Sequence, residues 1–462
     1  MRPTRPPRPW RLLLIGCVAL AALSLLGPHR PTYDPWAWLI WGREVTHLDL
    51  VTTTGPSWKP LPVAFTTVFS LFGDRAAPLL WLLVARAGGL LAIAMAYRLA
   101  SRLAGIAAGL IAAAALVLAD YFVESFARGN AEGLLVGLML WAIERHLDRR
   151  YRDAFALGIA AALLRPETWP FLALYGVWLI HRHWHDRSRT RTIALVLGGG
   201  VLVLVLWLVP EYAGSGSLLR GASRAQEPVA GSPAETAVPF LSVFDNGSSA
   251  LNWPIYAGAV LAAAFAVREV VLARRVTVVL ALGAFATALM VIVGLLAEGG
   301  FTGNLRYVTL PAAILCVIGG VGWAQLIAAA GHRYGRAVAG GIGAVALAAS
   351  VPFIVGDLTR LGHQFDTFRT SARISAALPE AIRQAGGADG VRRCRPAYTT
   401  SLNVQLVAWE LRLHEDQVGN HPHPPGALVV MTGSRAASDP RFRRLARTPL
   451  WTVASTCTGL RP

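Results

Sequence analysis

Residues 31–62 read Pro31-Thr-Tyr-Asp34-Pro-Trp36-Ala-Trp38-Leu-Ile-Trp41-Gly-Arg-Glu44 and, after ten intervening residues, Gly55-Pro-Ser-Trp58-Lys59-Pro-Leu-Pro62. The stretch lies between two apolar runs. Lys59 is the only lysine of the chain, against 42 arginines, and it shares the stretch with Asp34, Glu44 and four tryptophans. Charge beside hydrocarbon is costly unless paired, solvated or used. An acid, a lone ammonium and a cluster of indoles between hydrophobic segments therefore read as the floor of an active site at a membrane surface.

Working outward, hydrophobic residues make up 54% of the chain and charged residues 15%, with a mean hydropathy of +0.48. These values lie outside the range of a soluble domain, so a polytopic α-helical membrane protein is expected. The net charge of +17 raises the question of nucleic acid. The arginines, however, fall mostly in short loops between apolar runs, where they orient a membrane protein, and nucleic acid is set aside as a partner.

An apolar run at 12–26 follows Arg2, Arg5, Arg8 and Arg11, the pattern of a first span or of a signal peptide, and either places residue 30 outside. Residues 61–72 are too short to cross and are expected to be re-entrant or interfacial. Further spans are predicted at 76–97, 103–122, 130–146, 153–166, 168–181, 191–210, 253–268, 276–297, 305–328 and 336–356, about eleven with the first. With the N-terminus inside, Arg98, Arg102 and the basic runs at 144–153, 182–191, 268–275 and 333–336 all fall in cytoplasmic loops, as the positive-inside rule requires. Two short spans meet at Arg165-Pro166-Glu167 and are expected to stop within the outer half of the membrane, beside a cavity. The outer loop 211–252 is rich in Gly, Ser, Ala and Pro, so it is expected to be mobile until a ligand binds. Gly198-Gly-Gly and Gly340-Gly-Ile-Gly343 fall in or at the ends of apolar spans with no strand before them, and read as helix-packing surfaces rather than dinucleotide loops.

The apolar spans stop at Asp357. The chain is therefore divided into a membrane domain, 1–356, and a small α/β domain, 357–462, with helices expected at 368–385 and 402–413 and strands at 395–400, 427–432 and 451–456. Eleven spans put this second domain outside the cytoplasm. There Cys394 and Cys457 have two readings, a disulfide or a pair of free thiols.

Four cations lie at the predicted outer ends of spans: Lys59, Arg128, Arg165 and Arg306. Converging on one face, they would hold a phosphate or pyrophosphate at the lipid–water boundary. The competing reading is snorkelling with local pairing, Arg165 to Glu167 and Arg128 to Glu124 or Glu132. Asp34, Glu44 and Glu132 are the acids placed to take a proton from a hydroxyl. The tryptophans around Trp36 also read as an aromatic belt at headgroup level. Trp36, Trp58, Glu167 and Tyr307 complete the candidate substrate contacts. No cofactor motif is present, and neither His181, His183 and His185 nor His421 and His423 have the ligand count of a metal site.

With an acid in the first outer loop, Lys59-Pro-Leu-Pro62 closing that loop, Arg165-Pro-Glu167 at a helix break and Arg306-Tyr307 opening a late span, the chain resembles the GT-C superfamily of membrane glycosyltransferases. The protein mannosyltransferase and aminoarabinose transferase branch is the most similar, over about residues 1–356. The resemblance implies that Asp34 is the acid of the reaction centre and that Lys59 meets the phosphate of a lipid-linked donor, with Arg165 or Arg306 assisting. It also implies transfer of a hexose or pentose from a polyprenyl-phosphate sugar donor to an acceptor hydroxyl of a glycan, lipid or protein. The place would be the outer face of the plasma membrane, with membrane lipid as the surrounding partner and no divalent metal strictly required. Two departures stand out: the first-loop acid is single where the superfamily has an adjacent pair, and Lys-Pro-Leu-Pro replaces Lys-Pro-Pro-Leu. A transporter or flippase of a lipid-linked saccharide, or a non-catalytic scaffold, also needs many spans and intramembrane cations. No internal duplication relates the halves, which suits an enzyme better.

Overall fold

The computed structural model describes residues 10–227, 230–274 and 276–457. Arg2, Arg5 and Arg8 of the basic N-terminal run, and Arg275, lie outside the described residues. The chain opens with α1 (Trp10–Ser24), then two short helices of the segment between α1 and α4, α2 (Tyr33–Thr46) and α3 (Pro60–Ser70). There follow α4 (Ala76–Ala104), α5 (Ile106–Leu118), α6 (Phe122–Ala127), α7 (Glu132–Leu147), α8 (Tyr151–Ala162) and α9 (Trp169–Arg182). Next come α10 (Arg189–Ser215), α11 (Arg220–Ala225), α12 (Pro239–Ser248), α13 (Trp253–Ala273), α14 (Val278–Glu298), α15 (Leu305–Tyr334) and α16 (Arg336–Gln384).

Every predicted span contains a helix, and six of them, α4, α10, α13, α14, α15 and α16, are long and apolar enough to cross a membrane. Proline starts several elements at the first or second position, in α3, α9, α12 and α13, where a missing N–H costs nothing. Single glycines at positive φ, Gly105 at +91° and Gly335 at +89°, turn α4 into α5 and α15 into α16 with no longer loop. Large apolar side chains such as Leu197, Val260 and Val345 stand exposed on α10, α13 and α16, the surface a bilayer solvates.

Close helix contact is made by glycines other than those expected. A Cβ on Gly322 of α15 would fall 1.8 Å from the Gly258 carbonyl oxygen of α13, so the two backbones touch directly. Gly199 presses on Ile159, but Gly198, Gly200, Gly340 and Gly341 have nothing within 4 Å of a built Cβ. The packing expected of those runs therefore holds at one glycine in each, Gly199 on α10 and Gly343, 3.7 Å from Ile327, on α16, while the other four face outward. The loop 211–252 also differs from expectation. It is built of α11, a 3₁₀ turn at Pro233–Glu235 and α12, and it is tied to the first outer loop by Arg220 donating to the Pro56 carbonyl (2.7 Å) and Arg224 donating to that of Gly55 (3.1 Å).

Residue 357 marks the end of apolarity but not the end of a helix, since α16 continues unbroken for 49 residues into the C-terminal part. Beyond it lie α17 (Gly387–Arg392), β1 (Ala397–Tyr398), α18 (Val404–Glu410), β2 (Val418–Gly419), β3 (Ala427–Met431), β4 (Arg443–Arg447) and β5 (Trp451–Ser455). The sheet order is β2-β1-β3-β5-β4, with β1 parallel to both neighbours and β5 antiparallel to β3 and β4. Cys394 and Cys457 form a disulfide, Cα to Cα 5.8 Å, which ties the segment before β1 to the end of β5. Trp451 Nε1 donates to the Ile374 carbonyl (2.7 Å), seating the sheet on α16. On the other side the Trp409 ring of α18 packs 5.9 Å from that of Trp36 on α2, joining the C-terminal part to the first outer loop.

Candidate active site

Asp34 occupies the first turn of α2, where the free backbone N–H groups favour a carboxylate. Lys59 precedes the proline that starts α3, and the two helices are pinned together by Thr66 Oγ1 donating to the Trp38 carbonyl (2.6 Å). This brings the Lys59 Nζ to 3.5 Å from Asp34 Oδ2, while Arg306 Nη1, from the first turn of α15, reaches the same oxygen at 2.9 Å. One carboxylate oxygen is therefore shared by two cations on separate elements. The Lys59 ammonium also lies 4.9 Å over the Trp38 ring.

A second ion pair adjoins the first. Arg165, freed at the break between α8 and α9, donates to Glu132 Oε1 at 2.6 Å and lies 3.7 Å from Glu167 Oε1. Ser125 Oγ holds the other Glu132 oxygen at 3.0 Å. Tyr307 joins the groups: its ring centroid is 4.5 Å from the Arg165 guanidinium and 5.8 Å from that of Arg306. Asp34, Lys59, Glu132 and Arg165 are all buried. Among the described residues, Arg306 Nε and Glu167 Oε2 in the cluster have no hydrogen-bond partner. Three cations thus face three carboxylates, a balanced set that an incoming anion would have to reorganise.

Burial pushes the Asp34 carboxyl up, but the charges of Arg306, Lys59 and Arg165 outweigh it and hold the group below the usual carboxylate range. Burial and the Arg165 charge push Lys59 down to about 8, against the pull of Asp34 and Glu132.

The remaining expected residues sit apart from this cluster or on its edge. Arg128 pairs with Glu124 at 2.5 Å and faces the Phe368 ring, so it follows the local-pairing reading and does not join the other cations. Glu44 lies at the other end of α2 from Asp34, about 15 Å along a helix of that length. Its carboxylate accepts from the Val51 N–H (3.0 Å) and meets His414 Nδ1 at 2.7 Å, a tie to the C-terminal part, and burial pushes it up to about 7. Trp36 packs on Trp409, and Trp58 donates to the Leu206 carbonyl (3.0 Å) with its ring 5.6 Å from that of Trp41. Both indoles shape walls.

Asp34, Arg306 and Tyr307 open onto a cavity of about 980 Å³, walled by the Thr53–Ser57 turn and by α11, and roofed by Gln405 and Glu415 of the C-terminal part. Gly55, at φ +85°, lies so close to the Glu415 carboxylate that a Cβ would meet its Oε2 at 2.3 Å. A second, apolar cavity of about 500 Å³ runs between α7, α8, α9 and α14, from Thr168 beside Arg165 to His146 at the other end. Several residues at the centre carried no sequence signal. Tyr121 adopts φ +65° and accepts a hydrogen bond from Asn130 (3.1 Å) within the fields of Glu132, Arg306 and Asp34; Ser125 and Glu415 were equally silent. Among the described residues no group of three or more His, Cys, Asp or Glu side chains gathers as a metal would need.

The crystal structure of ArnT from Cupriavidus metallidurans bound to undecaprenyl phosphate matches this arrangement of helices and C-terminal sheet with a TM-score of 0.56, covering 98% of this chain and 99% of that chain at 16% identity. The fold is GT-C. The same ArnT in the apo state gives a TM-score of 0.56 at 17% identity, again over 98% and 99% of the two chains. A further GT-C structure, the oligosaccharyltransferase of Archaeoglobus fulgidus tethered to an acceptor peptide, gives 0.52 at 12% identity, covering 88% of this chain and 63% of that one. No protein-family model and no curated protein matches the chain. Within this scaffold the Asp34 cluster lies where α2 and the start of α3, the α8–α9 break and the start of α15 meet.

Proposed function

We propose that this protein is a membrane glycosyltransferase that moves a sugar from a polyprenyl-phosphate donor to an acceptor hydroxyl at the outer face of the plasma membrane. The observation that carries the reading is the Asp34 oxygen held between Lys59 and Arg306 at the floor of a large cavity. The acceptor oxygen attacks the anomeric carbon, its proton passes to Asp34, and the bond from that carbon to the lipid phosphate breaks with the electron pair leaving on the phosphate. Lys59, Arg306 and Arg165 stabilise the charge that grows there, which preorganised cations do well in a water-poor cleft. Their balance with Asp34, Glu132 and Glu167 adds a coupling. A donor phosphate competes with Asp34 for Lys59 and Arg306, and the carboxylate it displaces becomes the stronger base. Glu44 and Arg128, held by His414 and Glu124, keep supporting roles. The apolar cavity beside Thr168 offers a path for the polyprenyl tail.

In this reading about eleven segments cross the bilayer with the N-terminus in the cytoplasm, and residues 357–462 form an extracytoplasmic unit that selects the acceptor. Its 14 arginines against 8 acidic residues suit an anionic glycan or membrane surface. Mass spectrometry of cell-envelope glycans tests the function: a deletion strain should lack one sugar, restored by the parent gene and not by Asp34→Asn. An unchanged glycan profile would overturn the assignment. A reporter fused after Pro462 tests the topology, and activity confined to the cytoplasm would remove the site from the outer face.

A further inference from the structure

We propose that a second outer cavity, separate from the reaction cavity, binds the phosphate of an anionic amphiphile at the level of the lipid headgroups. This cavity, of about 1020 Å³, lies between the turn after α1, the start of α4, the outer half of α16 and α18. Trp36 lines it, whereas Asp34, two residues away on α2, lines the reaction cavity.

Three of its arginines are unclaimed. Arg75 at the start of α4, and Arg369 and Arg373 one turn apart on α16, have no hydrogen-bond or ion-pair partner among the described residues. The acids on the same rim are taken or muted. Asp74 pairs with Arg412 at 2.9 Å, Asp389 pairs with Arg392, and burial and the nearby Asp74 charge push Glu410 up to about 7. Like charges four residues apart on a helix repel, so Arg369 and Arg373 carry a cost that an anion between them would reverse with charge-assisted hydrogen bonds. The wall is also held in place without a ligand: Arg30 spans it, donating to the Ser371 carbonyl (3.1 Å) and to Asn403 Oδ1 (3.2 Å).

The chemistry of the opposite wall selects the kind of anion. Leu79 belongs to the first turn of α4, a helix long and apolar enough to span, and is more than a third exposed. Trp36, itself buried, adds the edge of an indole ring. An occupant here meets guanidinium groups with one end and the beginning of a membrane helix with the other. A phosphate-bearing lipid of the outer leaflet has that shape, and basic residues at such a surface attract anionic headgroups additively. Inorganic phosphate shares the chemistry of the head alone.

The test is native mass spectrometry of the full chain in detergent, titrated with a short-chain phosphatidylglycerol, a short-chain phosphatidylcholine or inorganic phosphate. The parent is expected to retain phosphatidylglycerol in preference to both others. The Arg75→Gln/Arg369→Gln/Arg373→Gln variant should bind it roughly a hundredfold more weakly at an unchanged melting temperature, whereas Lys59→Ala should retain it. If the triple variant fails to fold, Arg373→Gln alone should show a loss of about fivefold or more. Undiminished binding in these variants, or loss in Lys59→Ala instead, would overturn the proposal. So would inorganic phosphate binding as tightly as the lipid, which would make this a free-anion site.

Discussion

Replacing Lys59 is the sharpest probe of the proposed reaction centre, because its ammonium is buried between a carboxylate and an indole ring. It lies 3.5 Å from Asp34 Oδ2 and 4.9 Å from the Trp38 ring centroid, and is 6% exposed. Lys59→Ala removes one preorganised charge from a site that must stabilise a departing phosphate, and comparable losses slow turnover by about 10²–10³. Lys59→Arg keeps the charge but forces a planar fork into a closed space, and overpacking of that kind costs about 1–3 kcal/mol of stability and moves the charge off its position, so turnover should fall, though less than in Lys59→Ala. The pH profile separates charge from shape. With Lys59 pushed down to about 8, the ammonium is fully present below that pH and lost above it, so kcat/KM of the parent should fall through a limb near pH 8. A guanidinium stays protonated across this range, and the limb should vanish in Lys59→Arg. The assay is single-turnover release of polyprenyl phosphate in proteoliposomes. A Lys59→Ala rate within about threefold of the parent would refute the phosphate-holding role, since no preorganised charge would then have been lost. A Lys59→Arg profile that kept the limb near pH 8 would assign it to another group.

Asp34→Asn should abolish transfer and also destabilise the fold, because the buried Lys59 would lose its carboxylate, whereas Arg306, about a quarter exposed, is relieved by solvent; turnover per folded molecule, normalised by donor binding, separates the two effects. Cys394→Ser opens a disulfide spanning 63 residues and should cost roughly 4 kcal/mol of stability in the C-terminal part, read as a lower melting transition that reductant no longer shifts. Glu415, pushed up to about 7 by burial, binds more protons folded than unfolded between its ordinary range and pH 7. Stability should therefore fall as pH rises through that window, by up to about 3 kcal/mol, and Glu415→Gln should flatten the melting-temperature profile. A parallel profile in the variant would show that another group titrates.

The membrane fold was legible because apolar runs, arginine loops and prolines all record the same constraint, a bilayer that admits few charges. Lys59, Arg165 and Arg306, which the structure brings together, were singled out by asking why a cation stood outside the arginine-rich loops, and that question has force only where charge is expensive. Arg128 met the same criterion and failed, since an acid one helical turn away is an equally good partner and sequence does not say which is taken. Glu44 resembled Asp34 in composition but not in place, because the length of α2 separates them and His414, 370 residues on, claims it. Tyr121 and Glu415 were invisible for a related reason. Their positions depend on a left-handed residue and on the docking of a distant sheet, neither of which leaves a local pattern. The short β2 and the arginine-rich β4 were missed because their partners, not their residues, make them strands.

The unbroken α16 works as a keyed shaft. At 1.5 Å per residue its 49 residues reach about 74 Å, more than twice the thickness of the hydrocarbon it crosses. The sheet is mounted on that shaft through Trp451 and Ile374, and its far side must arrive facing α2 so that Trp409 meets Trp36 and Glu415 meets Gly55. Deleting one residue between Asp357 and Phe368 would turn the whole assembly by about 100° and lower it by about 1.5 Å, aiming Gln405 and Glu415 away from the floor that holds Asp34. A length change that leaves every side chain of both halves untouched would thus misalign the roof and floor of the cavity, which makes the angular phase of one helix as specific a requirement as any residue lining it.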